Sequence, residues 1–109
     1  MWLFLSNAAV SIVSDRDDPA RLLVRGRRHG DIEAFLAPVV AEGRWQVSVT
    51  PDADYLYRAF VPRDTVARAV AAHASAIGYP NFKNSVHDGR RHSAYSDVWS
   101  VMHAYQEEP

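Results

Sequence analysis

Between residues 21 and 28 the chain alternates: Leu22 and Val24 point one way, and Arg21, Arg25 and Arg27 point the other. That period of two predicts a strand with one wet face. Residues 2–6 and 9–14 carry Trp, Leu, Phe, Val and Ile, which suit a pleated half-buried surface, and a Ser-Asn-Ala connection between them predicts a hairpin. Trp45, Val47 and Val49 alternate with Gln46, Ser48 and Thr50. A turn at Pro51, Asp52 and Ala53 then leads into a strand over 55–61. That last strand sets Leu56 and Phe60 opposite Tyr55, Tyr57, Ala59 and Val61.

Helical spacing takes over elsewhere. Ile32, Phe35 and Leu36 fall at i, i+3, i+4, with Asp31 as the expected N-cap and Pro38 limiting a short helix that ends before Gly43. Pro62 and Asp64 open a second helix whose stripe is Val66, Val70, His73, Ala74 and Ile77, with Gly78 as its C′ residue. Phe82 and Val86 mark a short helical turn. The final helix runs from Arg91 to Gln106, where Tyr95, Val98, Trp99, Met102 and Gln106 form one stripe expected to face a core.

The order β-β-β-α-β-β-α-α-α, with short strand connections, predicts an α+β fold. The expected architecture is a single domain over residues 1–109, an antiparallel sheet of about five strands with helices packed on one face. At 109 residues and 48% hydrophobic the chain can bury a core without staples. It has no cysteine, so thiol catalysis, disulfides and cysteine zinc sites are excluded and a cytoplasmic location is expected. The N-terminal MWLFLSNAAVSIVSD lacks a basic leader and reads as strand rather than signal. No apolar run suffices to span a bilayer.

Histidines 29, 73, 87, 92 and 103 show no metal-ligand spacing, and His73, on an apolar stripe, reads as a packed histidine holding one hydrogen bond. Ser85 and Ser93 sit in no nucleophile elbow. Asp15, Asp17 and Asp18 read as a solvated turn cluster. No cofactor, metal or catalytic residue is therefore expected, and binding is favoured over catalysis.

The net charge of −1 hides two basic clusters. Arg21, Arg25, Arg27 and Arg28 form one. The other lies in the excursion over 79–92, which carries Tyr79, Phe82, Lys83, Arg90 and Arg91, a mixture of aromatic and arginine side chains suited to a protein contact. Arg27 and Arg28 beside a helix start at Asp31 also suggest an anion site, although Asp31 would repel an anion. The leading expectation is an accessory or regulatory protein acting on a protein partner through one of these surfaces. The alternative is a nucleic-acid or phosphate-ligand binder that sets Arg21, Arg25 and Arg27 beside Tyr55 and Tyr57. A homodimer through an uncovered sheet face or edge is compatible with both.

The opening MWLF, the segment DYLYRAFVPRD and the ending YPNFKNSV…AYSDVWSVM resemble a group of small bacterial and phage-borne proteins. The resemblance covers nearly the whole chain and brings no assigned activity, cofactor or site residue. It implies a compact accessory protein encoded near mobile elements.

Overall fold

Alternating apolar positions build the sheet that dominates residues 1–77. The computed structural model describes residues 1–40 and 45–106. Strands β1 (Trp2–Phe4) and β2 (Ala9–Ser14) form an antiparallel hairpin, closed by the Leu5 N–H donating to the Ala8 carbonyl at 2.7 Å. Strand β3 (Arg21–Gly26) returns along β2, and β5 (Tyr57–Pro62) lies antiparallel against β3. Strand β4 (Ser48–Val49) pairs with the far side of β5, so the sheet order is β1-β2-β3-β5-β4. The fold is α+β with the predicted element order. The strand expected over 45–50 contracts to two residues, and Trp45 and Val47 pack half-buried against the core. Likewise β5 starts at Tyr57, because the chain bends over 53–56.

Two helices cover one face. Helix α1 (Asp31–Leu36) buries Ile32, Phe35 and Leu36, and helix α2 (Arg63–Ser75) buries Thr65, Val66 and Ala69. These meet Val10, Ile12, Val24, Ala59 and Val61 in a single core. Complete burial of a side chain the size of Phe35 contributes about 2–3 kcal/mol by apolar transfer. At the end of β3, Gly26 lies against the start of α1, where an added Cβ would make an ordinary packing contact with Ile32 at 3.4 Å.

Three local expectations are corrected here. The N-cap of α1 is Gly30, at φ 90°, and Asp31 is the first helical residue. Its buried carboxylate accepts the backbone N–H of Ala9 at 3.1 Å, which ties the helix to β2. Ala74, inside α2, is exposed, and the helix ends at the Ala76 cap, so Ile77 lies beyond it, exposed, and Gly78 has no left-handed φ. Of the expected stripe Val66 is buried and Val70 and His73 are half-buried against the core, and Thr65 and Ala69 join the buried side.

The chain divides into two compact units, Met1–Ile77 and Gly78–Pro109. In the second, a 3-10 turn over Lys83–Ser85 precedes helix α3 (Gly89–Tyr105). Asp88 caps α3, its side chain accepting from the Arg91 N–H at 2.9 Å. Tyr95 is buried and stacks on Phe82, with ring centroids 5.7 Å apart. The rest of the expected core stripe is not covered: Val98, Trp99, Met102 and Gln106 are all exposed. The expected helix end at Gly43, and Glu107 and Glu108 beyond α3, lie outside the described residues.

Candidate functional site on the second face of the sheet

Residues directly opposite one another in an antiparallel pair share a face. The register therefore draws a row across all five strands on the side turned away from α1 and α2: Trp2, Ser11, Arg25, Arg58 and Ser48. A second row sets Val13, Leu23 and Phe60 side by side, and Arg21 stands opposite Pro62. Phe60 is 47% exposed and Trp2 74%, with Phe4 also exposed on the edge strand. This face carries aromatic and arginine side chains that neither α1 nor α2 covers.

The arginines sit over the aromatics. Arg21 sits 5.0 Å from the Phe60 ring centroid, and Arg25 and Arg27 sit 4.6 Å and 4.1 Å from that of Tyr55. Strand alternation alone would send Tyr55 to the helix side with Tyr57. The bend before β5 brings it instead to the arginines. Tyr57 stays on the other side, edge-on to His29 at 5.8 Å, so only one of the two tyrosines expected beside the arginines is there.

The four arginines differ sharply in how their charge is met. Arg21 pairs with the buried Asp15 at 2.7 Å and lies 3.7 Å from Asp18. The Asp17 backbone N–H holds the Asp15 carboxyl below its ordinary pKa, burial opposes that shift, and Arg21 adds to it. Asp15 is thus a buried anchor of the β2–β3 turn and not a solvated acid. Arg58 reaches Asp54 only at 4.0 Å and donates to the Thr50 hydroxyl. Arg25 donates one N–H to the Ser11 hydroxyl at 2.9 Å, and its Nε is buried without a hydrogen-bond partner among the described residues. Arg27 donates to the Asp54 backbone carbonyl at 2.8 Å. Among the described residues neither Arg25 nor Arg27 has a carboxylate, and Arg25 stands directly opposite Arg58.

Arg28 is exposed on the turn after β3. At the anion site expected there, α1 is only six residues long and the Asp31 carboxylate is buried at its first turn.

The excursion over 79–92 folds largely on itself. Tyr79 packs on Phe82 at 5.7 Å, Lys83 lies 4.4 Å over the Trp99 ring, and Arg91 is buried with an N–H donated to the Tyr95 hydroxyl at 3.2 Å. Of the five residues singled out there, Arg90 alone is fully exposed. Arg91 is a structural residue of the second unit. The histidine expectation holds for His73, whose Nε2–H donates to the Phe35 carbonyl at 2.8 Å while its ring stacks on that phenyl. Among the described residues no cluster of His, Asp or Glu is arranged to hold a metal ion, and no helix is long and apolar enough to cross a membrane.

No family model, curated protein or solved structure matches this chain. Any functional reading therefore stands on the geometry alone.

Arg58, Phe60 and Trp2 are the members of the face that the sequence did not nominate. Alternation within 55–61 puts Arg58 and Phe60 on one side, but only the pairing of β3 with β5 places them beside Arg25. That pairing joins strands far apart in the chain and leaves no local signal.

Proposed function

We propose that this chain is a small accessory or regulatory protein that works in the cytoplasm by binding a partner protein through the second face of its sheet. The observation that carries the reading is Arg25 directly opposite Arg58, with no carboxylate on Arg25 among the described residues. Like charges facing each other across a strand pair cost stability, and a partner carboxylate placed between them would convert that cost into charge-assisted hydrogen bonds. Phe60, Phe4 and Trp2 supply the apolar anchors such a contact needs. The basic residues here are all arginine, since the sole lysine of the chain is Lys83. Arginine with aromatic residues, and little lysine, is the composition of protein interfaces. A chain without cysteine suits a reducing compartment.

Nucleic-acid binding is less well supported. Stacking needs open ring faces, whereas guanidinium groups already lie over Tyr55 and Phe60. Arg21 is also neutralised by Asp15 and Asp18.

The test is affinity purification of the tagged protein from extracts of its host at low salt, with and without nuclease. It compares wild type with Arg25→Glu, Phe60→Ser and, as a control on the other unit, Arg90→Glu. A stoichiometric protein should survive nuclease, remain with Arg90→Glu and be lost with the two sheet variants while both stay folded, their melting temperatures lowered by no more than about 10 °C. Retention of the partner by both sheet variants, or recovery that disappears with nuclease, overturns the proposal.

A further inference from the structure

From Asp97 to Gln106 every residue of the α3 end and its cap is exposed. Val98, Trp99, Val101, Met102 and Tyr105 lie in this stretch with exposures between 38% and 75%, and no formally charged residue occurs between 98 and 105. From Asp97 to Tyr105 this end of the helix extends about 13 Å. This is the uncovered end of a 17-residue helix, and without tertiary cover its helicity rests on propensity, which two β-branched valines lower.

Val98, Val101, Met102 and Tyr105 fall at i, i+3, i+4 and i+7, which is the spacing of one docking stripe. When the helix is reversed about the midpoint between Val101 and Met102, Val98 meets Tyr105, Val101 meets Met102, Trp99 meets Ala104 and Ser100 meets His103. Each bulky side chain then faces a smaller or flexible one, and no like charges oppose. Trp99 is already held on its own chain, stacked on His103 at 4.9 Å and covered by Lys83 at 4.4 Å, so docking costs it little rotamer freedom.

We propose that α3 is the contact helix of a two-fold homodimer, pairing antiparallel with α3 of a second copy through Val98, Val101, Met102 and Tyr105, with Trp99 seated on Ala104 of the partner. The apolar surface on offer is on the order of 500 Å² per copy, at the upper end of what a monomer exposes. Two copies together would bury at most about 1,000 Å², the low end of biological contacts and below the range of about 1,200–2,000 Å² for stable complexes, which is the size of a weak dimer. The stretch between 98 and 105 has no carboxylate for the arginines of another copy's sheet face, whereas a second α3 offers it an equally uncharged apolar stripe. Ridge-into-groove packing would set the two helix axes about 8–10 Å apart. This inference rests on α3 alone and is independent of the reading given to the sheet.

Sedimentation of the full chain from about 1 to 100 μM tests it. Wild type should pass from monomer to dimer over this range. Trp99→Glu with Met102→Glu should raise the dissociation constant at least about 100-fold while helical circular dichroism is retained, and Phe60→Glu should leave it unchanged. Ala104→Trp, which fills the place of the partner indole from an exposed position, should also break the dimer. Because the chain has no native cysteine, Val101→Cys should oxidise to a covalent dimer faster than Ser93→Cys. Wild type that remains monomeric, dimerisation lost with Phe60→Glu and untouched by the α3 pair, or indifference to Ala104→Trp would each overturn the proposal.

Discussion

Phe35 and Phe60 offer a direct measurement of whether one face of the sheet is open. Both are phenylalanines packed against the same strands, Phe35 from the helix side with no exposed surface and Phe60 on the far side at 47% exposure. Truncating Phe35 to alanine removes a fully buried ring and leaves a cavity that the surrounding Val24, Val61 and Val66 can only partly fill, which costs about 3–5 kcal/mol. It also removes the ring on which His73 stacks. Truncating Phe60 leaves no cavity, because water takes the vacated space. About half the transfer energy of a phenyl group, about 1 kcal/mol, and about 0.5 kcal/mol for the Arg21 contact are lost, a total near 1.5 kcal/mol. Urea unfolding followed by far-ultraviolet circular dichroism should therefore show a cost for Phe35→Ala two to three times that for Phe60→Ala, about 4 against 1.5 kcal/mol. The slope with denaturant should be unchanged in both. Equal costs would refute the reasoning, for they would mean that Phe60 is covered as thoroughly as Phe35. The functional counterpart runs the opposite way: Phe60→Ala should abolish partner capture, and Phe35→Ala should reduce it only as far as it unfolds the protein.

Three further outcomes test separate parts of the structure. Gly30→Ala forces a Cβ into φ 90° and should destabilise by about 1–2 kcal/mol, read by the same unfolding assay. Asp88→Ala removes the side-chain cap of α3 and should cost the second unit about 1 kcal/mol, visible as faster amide exchange at Arg91 and its neighbours. The Asp15 carboxyl has a folded pKa below its ordinary 3.8, so its ionised form stabilises the fold above that pH and the contribution disappears as pH falls through the lower folded value. The stability difference between wild type and Asp15→Asn should thus be constant near neutrality and shrink below pH 3.8. A difference that grows on acidification would contradict the assigned direction.

Alternation was a dependable guide wherever strand and burial coincide. Leu22 and Val24 against Arg21 and Arg25, and Ala59 and Val61 against Phe60, are legible from the chain because a period of two fixes which residues share a face. Periodicity does not say what covers that face. The α3 stripe is a regular helical one, yet Trp99 and Met102 are exposed, since spacing carries no information about the element that would pack on them. Asp31 illustrates a different limit: a residue type common at N-caps stands one position inside the helix and accepts the backbone N–H of Ala9, a long-range partner that local sequence does not reveal. The arginine cluster of β3 was visible, while its completion by Arg58 and Phe60 depended on a strand pairing set by the tertiary fold.

That pairing also shapes how the protein reaches its fold. The meander β1-β2-β3 and the hairpin β4-β5 each join neighbours in the chain, but β3 and β5, the centre of the sheet, bring together residues about 30 to 40 positions apart. Local contacts form early and distant ones late. Before β3 and β5 meet, each carries an unpaired edge lined by Val24 or Val61, open to the matching strand of another molecule. Folding at high concentration should then divert chains into exchanged or aggregated forms, and the yield on refolding should fall with protein concentration even though the finished sheet is stable. The step that assembles the arginine face is thus also the step at which the chain is most exposed to misassembly.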